Sequence, residues 1–148
     1  MAFSVFELLE AGSRQTNPKF AHTLSGTIAD ERRHVGFGEN RIGSLIRQHP
    51  EKKPEIEKMQ KDMTYFMLAT FADAFEAGAD NRDEGRELAA EAAAAQGVEL
   101  EETEWHGTSL GEASTEDLEG VLADTVLGEF KTRLGRIGLE YQSPSVPA

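Results

Sequence analysis

The chain has no cysteine, which removes any disulfide framework and any thiolate metal site. A transition metal would have to be held by His, Glu and Asp, a donor set that suits iron, manganese and zinc. No stretch approaches the ~20 consecutive apolar residues of a membrane helix. Met1–Glu10 lacks a basic region followed by a long apolar run, so no export signal is read there. A soluble cytoplasmic protein is therefore the expectation. Positive charge is also scarce: 15 Lys/Arg stand against 27 Asp/Glu, a net charge of −12. Nucleic-acid binders present basic faces, so nucleic acid is a poor match as partner. No internal repeat is present.

The charge is unevenly placed. Residues 1–53 carry eight Lys/Arg and six Asp/Glu, a net of +2, and the rest carry seven against twenty-one, a net of −14. The acidic part is read as a solvated surface that aids solubility. A length of 148 residues suggests one domain with a modest core.

Pro, Gly and Asn divide the chain into about five helices, an all-α bundle or half-bundle. The first is expected from Phe3 to Ser13. Asn17-Pro18 reads as an N-cap followed by an N1 proline, opening a long helix that His49-Pro50 stops near Gln48. A third runs from Pro54 to Ala77, ended by Gly78 to Asn81, and an Ala-rich fourth covers Asp83 to Gln96 before Gly97. Residues 98–113 read as an acidic loop with room for a short strand or turn. Ser114 or Thr115 caps a fifth helix from Glu116 to Arg136, with Gly138 as its stop. The expected helical domain spans 1–142, made of a hairpin over 1–48, a core helix over 54–77 and a unit over 83–137; residues 143–148 form a loose tail.

The third helix repeats Ile56, Met59, Met63, Phe66, Met67 and Phe71 at spacings of three and four, and the fifth repeats Leu118, Val121, Leu122, Phe130 and Leu134. Both read as core stripes of a bundle. The methionines are read as core filling in preference to a flexible binding surface. Tyr65 reads as a core-edge residue more than a redox tyrosine, and Trp105-His106 as a packing anchor.

The second helix carries the chemistry. At about 100° per residue, Phe20, Leu24, Thr27, Ile28, Glu31, His34, Val35, Gly38, Ile42 and Leu45 fall in one sector roughly 120° wide. An unpaired carboxylate buried in such a stripe costs several kcal/mol. A His three residues later on the same face supplies the reason for it, because side chains at i and i+3 are neighbours and can share one divalent metal. Asp30 and Arg33 flank the stripe. A metal-bound imidazole usually donates its other N–H to a carboxylate, a role open to Asp30 toward a ligand on a neighbouring helix, and Arg33 could offset local negative charge by pairing with a carboxylate.

The run Ile28-Ala29-Asp30-Glu31-Arg32-Arg33-His34-Val35-Gly36-Phe37-Gly38 resembles the D-E-x-R-H-x-x-F-G motif in the second half of diiron proteins. The family is the ferritin-like superfamily, nearest its ribonucleotide-reductase small-subunit and oxygenase branch. Val5-Phe6-Glu7-Leu8-Leu9 resembles the end of the preceding family helix, and Leu134 to Leu139 more weakly resembles a closing segment. The main resemblance covers about residues 3–48. It implies a dinuclear iron centre, with manganese as an alternative metal, in which Glu31 and His34 are ligands. Asp30 and Arg33 would support them from behind.

A complete family site takes four helices and about six ligands, and this chain has one Glu-x-x-His. Lys19 precedes His22 by three residues, Thr103 precedes His106 and Ile46 precedes His49, so no second copy exists. In an antiparallel hairpin turning near Thr16-Asn17, the position level with Glu31 falls near or before Met1. Glu7 lies about five residues from that level, roughly 7 Å along the helix, and Glu10 lies farther. They remain alternative ligands if the first helix is shifted or kinked, though a solvated face is the favoured reading of both. The missing ligands are expected from the other half of a longer or split protein or from a homodimer mate. Either is preferred to a scaffold that has lost its metal. The leading expectation is a diiron oxidoreductase or oxygenase module, and its rival is a non-catalytic helical interaction subunit in which Glu31 pairs with Arg.

Overall fold

The computed structural model describes residues 2–144. Among them the chain forms five α-helices and one two-stranded hairpin, in the order α1 (Ala2–Ser13), α2 (Pro18–Gln48), α3 (Lys53–Ala77), α4 (Ala79–Gln96), β1 (Glu104–Trp105), β2 (Thr108–Ser109) and α5 (Thr115–Arg136). A single 3₁₀ turn at Pro50–Lys52 joins α2 to α3. The all-α architecture read from the sequence is the one observed. No helix among the described residues is long and apolar enough to cross a membrane.

Local chemistry sets the element ends. The Asn17 side chain accepts the Phe20 N–H at 3.2 Å and Pro18 occupies the first turn, so α2 starts where its first N–H groups have a partner. Ser114 and Asp117 form a reciprocal capping box on α5. The hydrogen bonds from Ser114 hold the Asp117 carboxyl below its ordinary range. Gly97, at φ +66, closes α4 in the left-handed conformation that glycine adopts without strain. The helix resumes at Ala79, four residues before the expected Asp83, because Asp80 and Asn81 are tolerated in a first turn and no proline blocks it.

Residues 98–113 carry the short strand and turn for which the sequence left room, paired as a hairpin. His106 (φ +49) and Gly107 (φ +80) make the two-residue turn of β1 and β2, as a type I′ hairpin requires. Gln15 ties the approach to this hairpin to the α1–α2 connector, donating to the Glu101 carbonyl at 2.6 Å and accepting the Glu101 N–H at 2.8 Å. Arg86 of α4 donates to the carbonyls of Leu110 and Ala113, both at 2.8 Å. With no buried residue of its own, α4 is held by such polar contacts.

Trp105 seats the hairpin in the main apolar cluster with Leu8, Ala11, Ala113, Leu118, Leu122 and Val126. A second cluster joins α1 to α2 through Phe3, Leu24 and Ile28. A third gathers Ile46, Leu134 and Leu139. The segment after α5 is anchored by α3: Gln60 accepts the Gln142 N–H at 2.9 Å and Glu57 accepts the Glu140 N–H at 2.9 Å. The loose tail expected over 143–148 lies, beyond Pro144, outside the described residues.

The α5 stripe is buried or half-buried as expected, but only half of the α3 stripe is: Ile56, Met67 and Phe71 pack against the core clusters. Met59, Met63 and Phe66 are 62%, 60% and 52% exposed, and the buried residues of α3 are Gln60 and Thr64. The reading of these methionines as core filling is corrected. Among the described residues α5 covers one edge of α3, and α2 and α3 barely touch beyond the turn that joins them.

Gly43 lets α2 approach the end of α5. A Cβ there would stand 2.9 Å from Ile137 Cγ2 and 3.3 Å from Ile137 Cβ. Gly43→Val is expected to cost about 1–3 kcal/mol by overpacking. Gly26→Ala, where a Cβ meets nothing within 4 Å, should gain roughly 0.5–1 kcal/mol of helix propensity. Urea denaturation of the two variants checks the contrast.

Candidate metal half-site

The 31-residue α2 is about 46 Å long, and its apolar sector is divided along its length. Ala21, Leu24, Ile28 and Ile46 are buried, whereas Phe20, Ile42 and Leu45 are 43%, 38% and 37% exposed. The cause is the size of the neighbour. Only the 12-residue α1 packs broadly on α2, and it covers one edge of a sector too wide for a single short helix.

Glu31 and His34 lie on the uncovered edge. The His34 Nδ1 is 3.8 Å from Glu31 Oε1, and the side chains are 75% and 32% exposed, respectively. The expected i, i+3 pairing is present, but the pair faces away from the chain's own core. Glu31 pairs with no Arg among the described residues. Arg33 instead donates to Asp30, its i−3 neighbour, so the two flanking charges neutralise each other on the surface.

The alternative ligands are occupied elsewhere. Glu7 accepts from Arg32, whose guanidinium lies 5.8 Å from the Phe3 ring centroid. Glu10 accepts from Arg14 Nε at 2.9 Å and from Nη2 at 2.7 Å, which lowers its carboxyl below the ordinary range. With Trp105, His106 and Glu129 they line an open polar cleft of about 530 Å³. Each of these two Glu already has its Arg, so the cleft does not offer them as free metal ligands. Tyr65 is half-buried and packs edge-on against Phe66 at 5.6 Å between ring centroids.

One ion pair was not singled out from the sequence. Glu39, 15% exposed at its side chain, accepts from Arg133 at 2.9 Å and lies 3.9 Å from Arg136. The Arg133 guanidinium stands 5.6 Å from the Phe3 ring centroid, so Phe3 has both Arg32 and Arg133 against it. The signal was available: Glu39 is three helical turns from Ile28 and two from Ile46, on the buried edge of α2.

Among the described residues no three His, Asp or Glu side chains meet as a metal-binding group. Glu31 and His34 have the right donor chemistry for iron or manganese, but they are two donors where a dinuclear centre takes about six. The pair fits half of such a centre and not a whole one. No protein-family model, curated protein or solved structure matches the chain.

Proposed function

We propose that this chain is a cytoplasmic ferritin-like dimetal module, of the diiron oxidoreductase or oxygenase kind, that supplies one Glu-x-x-His half-site and takes the remaining ligands from a second chain. The observation that carries this reading is the position of Glu31 and His34. They are 3.8 Å apart in the middle of an apolar stripe that the chain's own helices leave open. A solvated surface has no need of that stripe, and a self-contained site would face inward. Iron bound there would supply redox chemistry toward dioxygen; the chain's part is to hold the metal through Glu31 and His34.

A second reading is an interaction subunit without metal, favoured by one observation: Glu7 and Glu10 are held by Arg32 and Arg14. Iron content separates the two. Protein loaded anaerobically with Fe(II) and desalted is expected to retain roughly one iron per chain, half of a dinuclear centre, by elemental analysis. The Glu31→Ala/His34→Ala variant should retain almost none. Equal iron in both proteins would eliminate the metal reading.

A further inference from the structure

Three pairs of positions on the uncovered stripe of α2 complement one another in reverse order. Two antiparallel helices bring residues i and j level when i + j is constant. With that constant at 65, Phe20 is level with Leu45, Thr27 with Gly38, and Glu31 with His34. All six lie within about 30° of one line along the helix. The pairing has a large apolar residue with a large one at the ends, a threonine against a glycine nearer the middle, and a carboxylate against an imidazole beside the centre. A helix that packs on a copy of itself about a two-fold axis needs this self-complementarity.

We propose that two copies of this chain pack α2 against α2, antiparallel about a two-fold axis level with residues 32–33, so that Glu31 of each copy faces His34 of the other.

Three further observations fit a second copy as the occupant. An open apolar cleft of about 230 Å³ lies beside Leu45, lined also by His49, Ile56 and Met59. In this register Phe20 of the second copy arrives level with Leu45, so each copy supplies one aromatic knob and one hole. Gly38 would accept a Cβ with nothing within 4 Å, so its openness leaves room for the second helix. Finally, α2 carries five Lys/Arg and three Asp/Glu in a chain of net charge −12. Meeting through α2 keeps most of the strongly acidic residues 54–148 out of the seam, where like charges would repel; only the start of α3, at the cleft, reaches it. The two Glu31 and two His34 then fall within roughly 5 Å along the seam, a span that suits two metal ions about 3.5–4 Å apart. That last consequence rests on the proposed function; the register does not.

The absence of native cysteine makes a direct test clean. In the Thr27→Cys/Gly38→Cys variant each cysteine faces its counterpart on the other copy, and mild oxidation of metal-free protein is expected to give a covalent dimer. Thr27→Cys alone and Gly38→Cys alone should stay uncross-linked, because equal positions would be about 16 Å apart, beyond disulfide reach. Sedimentation equilibrium should show a wild-type dimer that Phe20→Ala weakens about ten-fold or more. A monomer at all concentrations, or single variants that cross-link as well as the double, would overturn the proposal. A cross-linked dimer without iron would instead remove the metal reading and leave the register intact.

Discussion

Trp105→Ala should lower the stability of the fold by about 3–5 kcal/mol, which for a chain of this size moves the melting temperature down by roughly 10–15 °C. The side chain is 7% exposed and packs in the cluster that also holds Leu8, Leu118, Leu122 and Val126. A buried tryptophan removes about 150–250 Å² from water, worth roughly 4–6 kcal/mol at 25 cal/mol per Å². Here it does more than fill space. Strands of two residues each cannot hold a hairpin by themselves, so Trp105 fixes that hairpin to α1 and α5. His106 is the control: exposed, at φ +49, and suited to His106→Asn because asparagine tolerates left-handed backbone. Thermal unfolding should place His106→Asn within about 0.5 kcal/mol of wild type. A loss below about 1 kcal/mol for Trp105→Ala would mean that the hairpin is not part of the cooperative core.

The hairpin also shows where the sequence was readable and where it was not. Helix ends were legible because they depend on neighbours in the chain: Asn17-Pro18, His49-Pro50, Gly97 and Ser114 each act within four residues. The acidic stretch offered no alternation longer than two residues, and the features that order it come from afar. Gln15, 86 residues from Glu101, and Arg86, 24 residues from Leu110, cannot be matched to their partners by periodicity. Trp105 was legible as an anchor because a lone large apolar residue in an acidic loop has few other uses.

The stripes on α2 and α3 illustrate a different limit. Periodicity reports which residues share a face of a helix, but not whether another element covers that face. Glu31, His34, Met59, Met63 and Phe66 were all placed correctly by angle. Their burial depends on a neighbour that this chain, among its described residues, does not provide. The candidate site was thus readable as a motif and unreadable as an environment. Glu39 failed in the opposite sense: its angle put it on the covered edge, but Arg133 lies 94 residues away in sequence.

Replacing both site residues with leucine should separate what the stripe does for association from what the polar pair does for chemistry. If α2 packs on a second α2, Glu31 and His34 enter a seam otherwise made by Phe20, Thr27, Gly38 and Leu45. Polar and charged groups there lose hydration, and replacing such groups with well-packed apolar side chains is often stabilising by about 1–4 kcal/mol. The Glu31→Leu/His34→Leu dimer, with four leucines in the seam, is therefore expected to dissociate roughly 5- to 700-fold less readily, since 1.4 kcal/mol is a factor of ten. Its iron should fall to the level of the alanine variant. Sedimentation equilibrium on metal-free protein reads the first effect and elemental analysis the second. A helix face that stays in water predicts the reverse pattern, with no tighter dimer and unspecific aggregation from two more exposed leucines. A dissociation constant within about three-fold of wild type would show that residues 31 and 34 do not lie in the seam. A tighter dimer that also lost its iron would mean that the polar pair is kept at a cost in association, as expected of residues retained to bind metal.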